Sequence, residues 1–296
     1  MSRHPLYGLS LAVVGTLVLT PDAMLMRLSQ MDGFQMVAWR GLLMGGMLLA
    51  AWALTSRDRA GDLRALRGGF GLTIVGCQFF NSILFCLGIA IAPVAVVLMG
   101  VAAVPVFAAL MAWALFREAT RPATWAAIVA VLGGIAIAVS GKMPGEVSLD
   151  LTSALGALCG LGVAMVLALN FVVLRARPGV PILLVIGCGA LIAGSFGTLI
   201  TGLEQIGQGR VWAMAATGAV ILPVSFFSLS LAARHTQAAN VSLVMLLETV
   251  LGPAWVWLVI HEAPTPRMLL GGAIVVVSLA VYLTLSARRA RPPFPN

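Results

Sequence analysis

Apolar residues in this chain run in long, nearly unbroken stretches rather than at the spacing of a half-buried helix or strand. Ten stretches approach the length of a bilayer crossing: 6–28, 34–54, 68–90, 93–116, 122–141, 151–174, 181–203, 211–233, 238–260 and 267–286. A hydrocarbon core of about 30 Å needs about 20 mostly apolar residues in a helix. Backbone surrounded by lipid must satisfy its own hydrogen bonds, and runs of this length do so as helices. The pattern therefore predicts an all-α integral membrane protein with ten transmembrane helices. The connections are too short to hold a soluble domain. The first run is too long for a removable signal peptide and lacks a small-residue cleavage site, so it is expected to be a permanent helix.

A polar interruption, GKMPGEVSLD, residues 141–150, divides the stretches five and five. A shift of 144 residues lays FREATRPATW (116–125) on IHEAPTPRML (260–269), so that Glu118 meets Glu262 and Pro122 meets Pro266. The same shift pairs Pro105 with Thr249 and Asn81 with Ser225. A shift of 148 pairs Asp22 with Asn170 and Arg27 with Arg175. An odd number of crossings per half forces the halves into opposite orientations. The expectation is two inverted five-helix repeats, 1–141 and 151–296, joined by a linker over 142–150. Inverted repeats are a common plan for transporters, with the substrate site at the repeat interface near the membrane midplane.

Charge sharpens this picture. Only 9% of the 296 residues are charged, against about 25% in soluble domains. The net charge is +8, yet its distribution points to topology rather than to nucleic acid. With the N-terminus inside, one side holds Arg3, Arg57, Arg59, Arg64, Arg67, Arg117, Arg121, Arg175, Arg177, Arg234, Arg288, Arg289 and Arg291. The other side holds only Arg27, Lys142, Arg210 and Arg267, and Arg40 falls within a span. Such asymmetry sets both termini in the cytoplasm, in a cell's inner membrane. Cys77, Cys86, Cys159 and Cys188 lie within spans without metal-ligand spacing, and read as small buried hydrophobes. No cofactor or metal is expected.

The ten spans, with APVAVVLMGVAAVPVFAALMAWALFREATRPATWAAIVAVLGGIAIAVSG (92–141) closing the first half, resemble the EamA family of the drug/metabolite transporter superfamily. The resemblance rests on Pro105 in the fourth helix, Glu118 thirteen residues later, and Gly133 and Gly134 in a glycine-rich fifth helix. The second copy keeps Glu262 but has Thr249 at the proline position. The resemblance implies transport of amino acids, drugs or other metabolites, or exchange of nucleotide sugars and triose phosphates. The size and short loops are most similar to the amino-acid exporters, aromatic ones among them.

Polar groups inside spans are costly and invite functional readings. Glu248 stands near the middle of the ninth span, where a carboxylate needs a partner, water or a proton. It reads either as a cavity group that meets a substrate amine or carries a coupling proton, or as a hydrogen-bonded tie between helices. Asp22 follows Pro21, and proline frees backbone carbonyls that cannot stay unsatisfied in lipid. TPD (20–22) is thus a helix break lining a cavity, or a position near the outer interface that water reaches. Arg40 reads as structural, snorkelling outward or pairing with Asp22 or Asp32.

Gln78, Asn81 and Ser82 share a face of the third span at i, i+3 and i+4. Ser225 and Ser228 do the same in the eighth span. Phe79, Phe80, Phe226 and Phe227 flank these stripes. Such stripes serve inter-helix hydrogen bonding, or give the mixed wall that a small amphipathic solute requires. Asn170, Met99 and Trp255 complete the candidate substrate contacts: Gln78, Phe79, Asn81, Ser82, Met99, Asn170, Ser225, Glu248 and Trp255. Glu248 and Asp22 are the candidate proton-coupling groups.

The expected function is a secondary exporter of small metabolites, foremost amino acids, working by alternating access. A multidrug or organic-cation exporter of the same fold is the alternative. A membrane enzyme acting on lipid-linked substrates would need convergent acid and base groups, and the three histidines, His4, His235 and His261, are scattered. An ion channel would repeat a pore-lining motif, which is absent. The expected partners are the bilayer and a small solute, and a monomer is compatible with the pattern.

Overall fold

The computed structural model describes residues 5–116, 122–140, 150–235 and 238–289. Glu118 and the connection 141–149 lie outside the described residues. Regular structure within them is helical. The first half holds α1 (Pro5–Leu19), α2 (Asp22–Ser29), α3 (Gly33–Thr55), α4 (Arg59–Arg67), α5 (Gly69–Ile91), α6 (Val94–Val101), α7 (Val104–Phe116) and α8 (Pro122–Val139). The second holds α9 (Leu151–Ala176), α10 (Ile182–Thr201), α11 (Val211–Ala216), α12 (Leu222–His235), α13 (Ala238–Ile260) and α14 (Pro266–Arg289). A π-helical turn, Thr217–Ile221, leads from α11 into α12.

Among the described residues, six helical stretches are long and apolar enough to cross a membrane: Tyr7–Ser29, Gly33–Thr55, Gly69–Ile91, Leu151–Ala176, Ile182–Thr201 and Val211–His235. Four apolar segments are shorter: Val94–Ala108, Trp125–Ala138, Val244–Ile260 and Pro266–Ser278. Large apolar side chains such as Leu54, Leu72, Val129, Leu199 and Leu258 face outward. Lipid accepts such a surface, whereas in water patches of this kind are association sites. The chain is a multi-pass membrane protein.

Prolines explain where spans read as continuous are interrupted. Pro21 offers no N–H to Leu17, and the Thr20 hydroxyl donates to the Leu17 carbonyl at 2.9 Å instead, so α1 ends and α2 starts anew. Pro105 leaves the Val101 carbonyl without its usual donor, and the chain turns at Ala102–Ala103 between α6 and α7. Thr249 at the matching position of the second half keeps its N–H, and its hydroxyl donates to the Leu246 carbonyl at 2.8 Å. There α13 continues through Thr249 and carries Pro253 within it. Pro223 sits just past the π turn, where the Leu222 N–H reaches back to Thr217. Such turns accommodate a missing donor without ending the helix.

Polar ends hold the helices in register. Asp32 accepts from the backbone N–H groups of Phe34 and Gln35, while the Gln35 side chain accepts from the Asp32 N–H, a complete capping box for α3. The short α4, which the hydropathy pattern does not predict, starts on Asp58 accepting from the Gly61 N–H at 2.9 Å. Asp62 on α4 accepts from Trp52 at 2.8 Å and Ser56 at 2.6 Å, tying α4 to the end of α3.

Helices of the first half pack mainly on helices of the second. α3 lies along α10, α8 along α14, α5 and α6 along α9, and α1 along α12. The closest approaches use glycine. A Cβ on Gly41 or Gly194 would strike the other's backbone where α3 crosses α10, and the same holds for Gly134 and Gly271 where α8 crosses α14. Small residues let membrane helices gain contact where no hydrophobic effect drives them together.

Candidate functional site

The break between α1 and α2 puts Asp22 in the first turn of a new helix, pointing into the protein. One carboxylate oxygen accepts from an Arg40 guanidinium nitrogen on α3 at 2.6 Å, with side-chain exposures of 1% and 8%. The other oxygen, Oδ2, is buried without a hydrogen-bond partner among the described residues. Arg40 also lies over the Phe85 ring, 5.4 Å from its centroid. Glu248 on α13 is 4% exposed and interacts electrostatically with both Asp22 and Arg40. No hydrogen bond joins it to another described residue. Asp22 is therefore buried rather than at a wet interface, and Arg40 pairs inward rather than snorkelling. Asp32 is committed to the α3 cap.

These three charges border one internal cavity. Leu19, Asp22, Arg40, Asn81, Phe85 and Val101 come from the first half; Val163, Leu167, Phe171, Phe226, Leu229, Met245 and Glu248 come from the second. The wall is apolar apart from Asn81 and the three charges. Its free volume is about 30 Å³, room for about two waters at 10–15 Å³ each. A larger pocket of about 260 Å³ opens at one end of the bundle, bordered by Pro93, Asp150, Ser153, Pro253 and Glu262. Beside it Arg27 donates to the Ala92 carbonyl at 2.9 Å and pairs with Glu262 at 3.4 Å. A further groove of about 270 Å³ runs between α6, α13 and α14 and is lined by Met99 and Thr249.

Of the residues singled out in the sequence, Asp22, Asn81 and Glu248 meet at the cavity. Gln78 donates to Ser82 at 3.2 Å, and its Oε1 atom is buried without a partner among the described residues. Phe79 stacks edge-on against Phe80 and Phe196 at 5.3 and 5.8 Å. Met99 faces the α6–α13–α14 groove. Asn170 is buried next to Phe171, which borders the cavity, but is not itself in the lining. Ser225 and Ser228 press against Gly15 of α1, so that stripe packs a helix crossing while Phe226 and Leu229 line the cavity. Trp255 donates to Thr20 at 3.2 Å, on the stretch between the cavity and the end pocket.

Sequence reasoning missed Phe85, Phe171, Leu167 and Met245. Phe85 was within reach, since it stands four residues after Asn81 on the same helical face. The others belong to uniformly apolar runs with no polar neighbour to set a face apart.

A comparison with curated proteins returned no match. A crystal structure of a protein is similar over 96% of this chain and 99% of its own, with a TM-score of 0.67 and 19% identity. At that identity the likeness concerns the fold. The EamA-like transporter family matches residues 6–140, from α1 to the end of α8, so the first half of this chain is similar to that family.

Proposed function

We propose that the whole chain is a secondary transporter of the inner membrane that exports small metabolites by alternating access, with amino acids the class that the family resemblance puts first. Its halves, 1–141 and 151–296, insert in opposite orientations as five-helix repeats on either side of the linker 142–150. The observation that carries the reading is the cavity between the halves, which draws on both almost equally and is bordered by three buried ionisable groups. Buried ionic groups are expensive in a membrane core and are usually kept for function.

Packing supports the inverted repeat. Taking α1–α2, α3, α5, α6–α7 and α8 as counterparts of α9, α10, α11–α12, α13 and α14, two pairs meet their own counterpart: α3 with α10, and α8 with α14. The others meet crosswise, α5 with α9 and α1 with α12, α6 with α9 and α13 with α2. A two-fold axis between the halves generates this exchange. Lengths support ten crossings, since the four shorter apolar segments belong to longer helical stretches, α6–α7, α8, α13 and α14, of which α8 has 18 residues, or about 27 Å of helix. The arginines Arg57, Arg59, Arg64, Arg67, Arg175, Arg177 and Arg234 gather at one end, which the positive-inside rule makes cytoplasmic.

Counterflow in proteoliposomes tests the function, with a panel of amino acids and organic cations under several pH gradients. Saturable exchange of at least one solute is expected. Ohmic conductance, or lipid turnover without solute flux, would overturn the reading.

A further inference from the structure

One end of the bundle gathers cations that the fold itself does not neutralise. The connection from α3 to α5 reads RDRAGDLRALR, residues 57–67, and contains α4. Both of its acids are spent on local structure: Asp58 accepts from the Gly61 N–H, and Asp62 accepts from Trp52 and Ser56. Asp62 and Leu66 are thus half-buried toward the bundle, while Arg59, Leu63, Arg64 and Arg67 lie exposed on the opposite face of α4. Arg59 donates to the Ala53 carbonyl and Arg64 to the Ala60 carbonyl, bonds that leave both charges uncompensated. The second half adds Arg175 and Arg177, also exposed. The Arg177 guanidinium lies over the Phe70 ring, 4.4 Å from its centroid, so the end of α9 meets the start of α5 three residues past Arg67. No ion pair among the described residues engages any of these five arginines. Like charges one helical turn apart repel, and the compensating charge must come from outside the chain.

We infer that this end of the protein binds the headgroup of an anionic phospholipid, its phosphate taken by Arg64 and Arg67 on α4 and by Arg177 at the end of α9. Place and surroundings select a lipid over a soluble anion. α4 joins two spans, so it lies where hydrocarbon gives way to headgroups. Exposed Leu54 before it and Leu72 after it mark the lipid-facing level, and exposed Leu63 and Phe70 stand among the arginines themselves. A phospholipid covers both kinds of side chain at once, phosphate on the guanidinium groups and acyl chain on the apolar ones. A free anion leaves the apolar ones bare. Net charge selects among lipids: a zwitterionic headgroup brings its own ammonium and leaves the cluster positive, whereas an anionic one offsets it. Attraction to an anionic surface is worth about fivefold in affinity per arginine, and Arg59 and Arg175 add to the field. α4 and α5 belong to the first half and α9 to the second, so the bound headgroup lies across their junction. This surface is independent of which solute, if any, the central cavity takes.

Native mass spectrometry of the full chain in detergent tests this, with phosphatidylglycerol and phosphatidylcholine of the same acyl chains as probes. Phosphatidylglycerol should bind about tenfold or more tightly, and the difference should shrink as salt is raised. Arg64→Gln, Arg67→Gln and Arg177→Gln together should bring phosphatidylglycerol down to the level of phosphatidylcholine, with thermal stability in lipid-free detergent unchanged. The same three positions changed to lysine keep the charge and should keep most of the preference. Arg210→Gln, at the other end of the bundle, should leave it intact. If the triple glutamine variant does not fold, Arg67→Gln alone should cost about fivefold. Equal affinity for the two lipids overturns the inference, as does a preference that survives the triple glutamine variant or is lost equally in the lysine one. Displacement of phosphatidylglycerol by an equal concentration of inorganic phosphate overturns it too, because the site would then serve a soluble anion.

Discussion

Removing one charge of the Asp22–Arg40 pair should damage the fold far more than removing both. At 2.6 Å the gross attraction is about 6 kcal/mol with an effective dielectric of about 20. Desolvating the two ions costs several kcal/mol each, so the intact pair stands near parity with apolar side chains of similar size. Asp22→Leu or Arg40→Met alone strands a buried charge, at about 3–5 kcal/mol. Arg40→Met also forfeits the Phe85 contact, about 0.5–2 kcal/mol. The double variant should fall within about 1–2 kcal/mol of the parent, giving a coupling energy of about 4 kcal/mol or more. Equilibrium unfolding in mixed micelles across the four-protein cycle measures it. Polar pairs between membrane helices average about 0.6 kcal/mol and reach about 1.7. A coupling inside that ordinary range, or a double variant as unstable as the sum of the singles, would refute the argument.

Three further outcomes follow from the same geometry. Gly134→Ala should destabilise by about 1–3 kcal/mol, because its Cβ would lie 2.8 Å from the Gly271 carbonyl; Gly133→Ala, with nothing within 4 Å, should be neutral in the same unfolding assay. Arg27→Gln should leave stability within about 1 kcal/mol, as an exposed pair contributes little, yet open the end pocket. Maleimide labelling of a cysteine at Ser153, in a background without the four native cysteines, should then be faster; unchanged labelling would count against Arg27 and Glu262 closing that end. Thr20→Val should remove both the bond to Leu17 and the one received from Trp255, costing about 1–2 kcal/mol, while Thr20→Ser should restore most of it.

Much of the helical plan was legible because lipid enforces it. A span must be long and apolar, so run length alone placed the outer ends of the long helical stretches to within a few residues. The interruptions were partly legible, because a proline removes a donor whatever surrounds it. Pro21 announced a break. Pro105 and Thr249 looked equivalent in the aligned halves, yet one position breaks its helix and the other does not, since Thr249 retains its N–H. The surface helix α4 was invisible to hydropathy. Its formation depends on local capping by Asp58 and on Asp62 reaching back to Trp52 and Ser56.

The site was legible only where polarity stood out against grease. Glu248, Asp22 and Asn81 each break an apolar run, and each reaches the cavity. The phenylalanines that face them carry no such mark, because in a membrane helix an apolar residue fits lipid, a helix crossing and a binding wall alike. Polarity alone is not decisive either: Ser225 satisfies the sequence criterion as well as Asn81, and it presses on α1 instead. What separates the two is the partner helix. Gly15 on α1 lets α12 come close enough to cover Ser225, whereas Asn81 stands one turn before Phe85 where α5 faces the Asp22–Arg40 pair. The distinction is a property of helix pairs, and two helices more than 140 residues apart in the chain meet only once the halves have folded against each other.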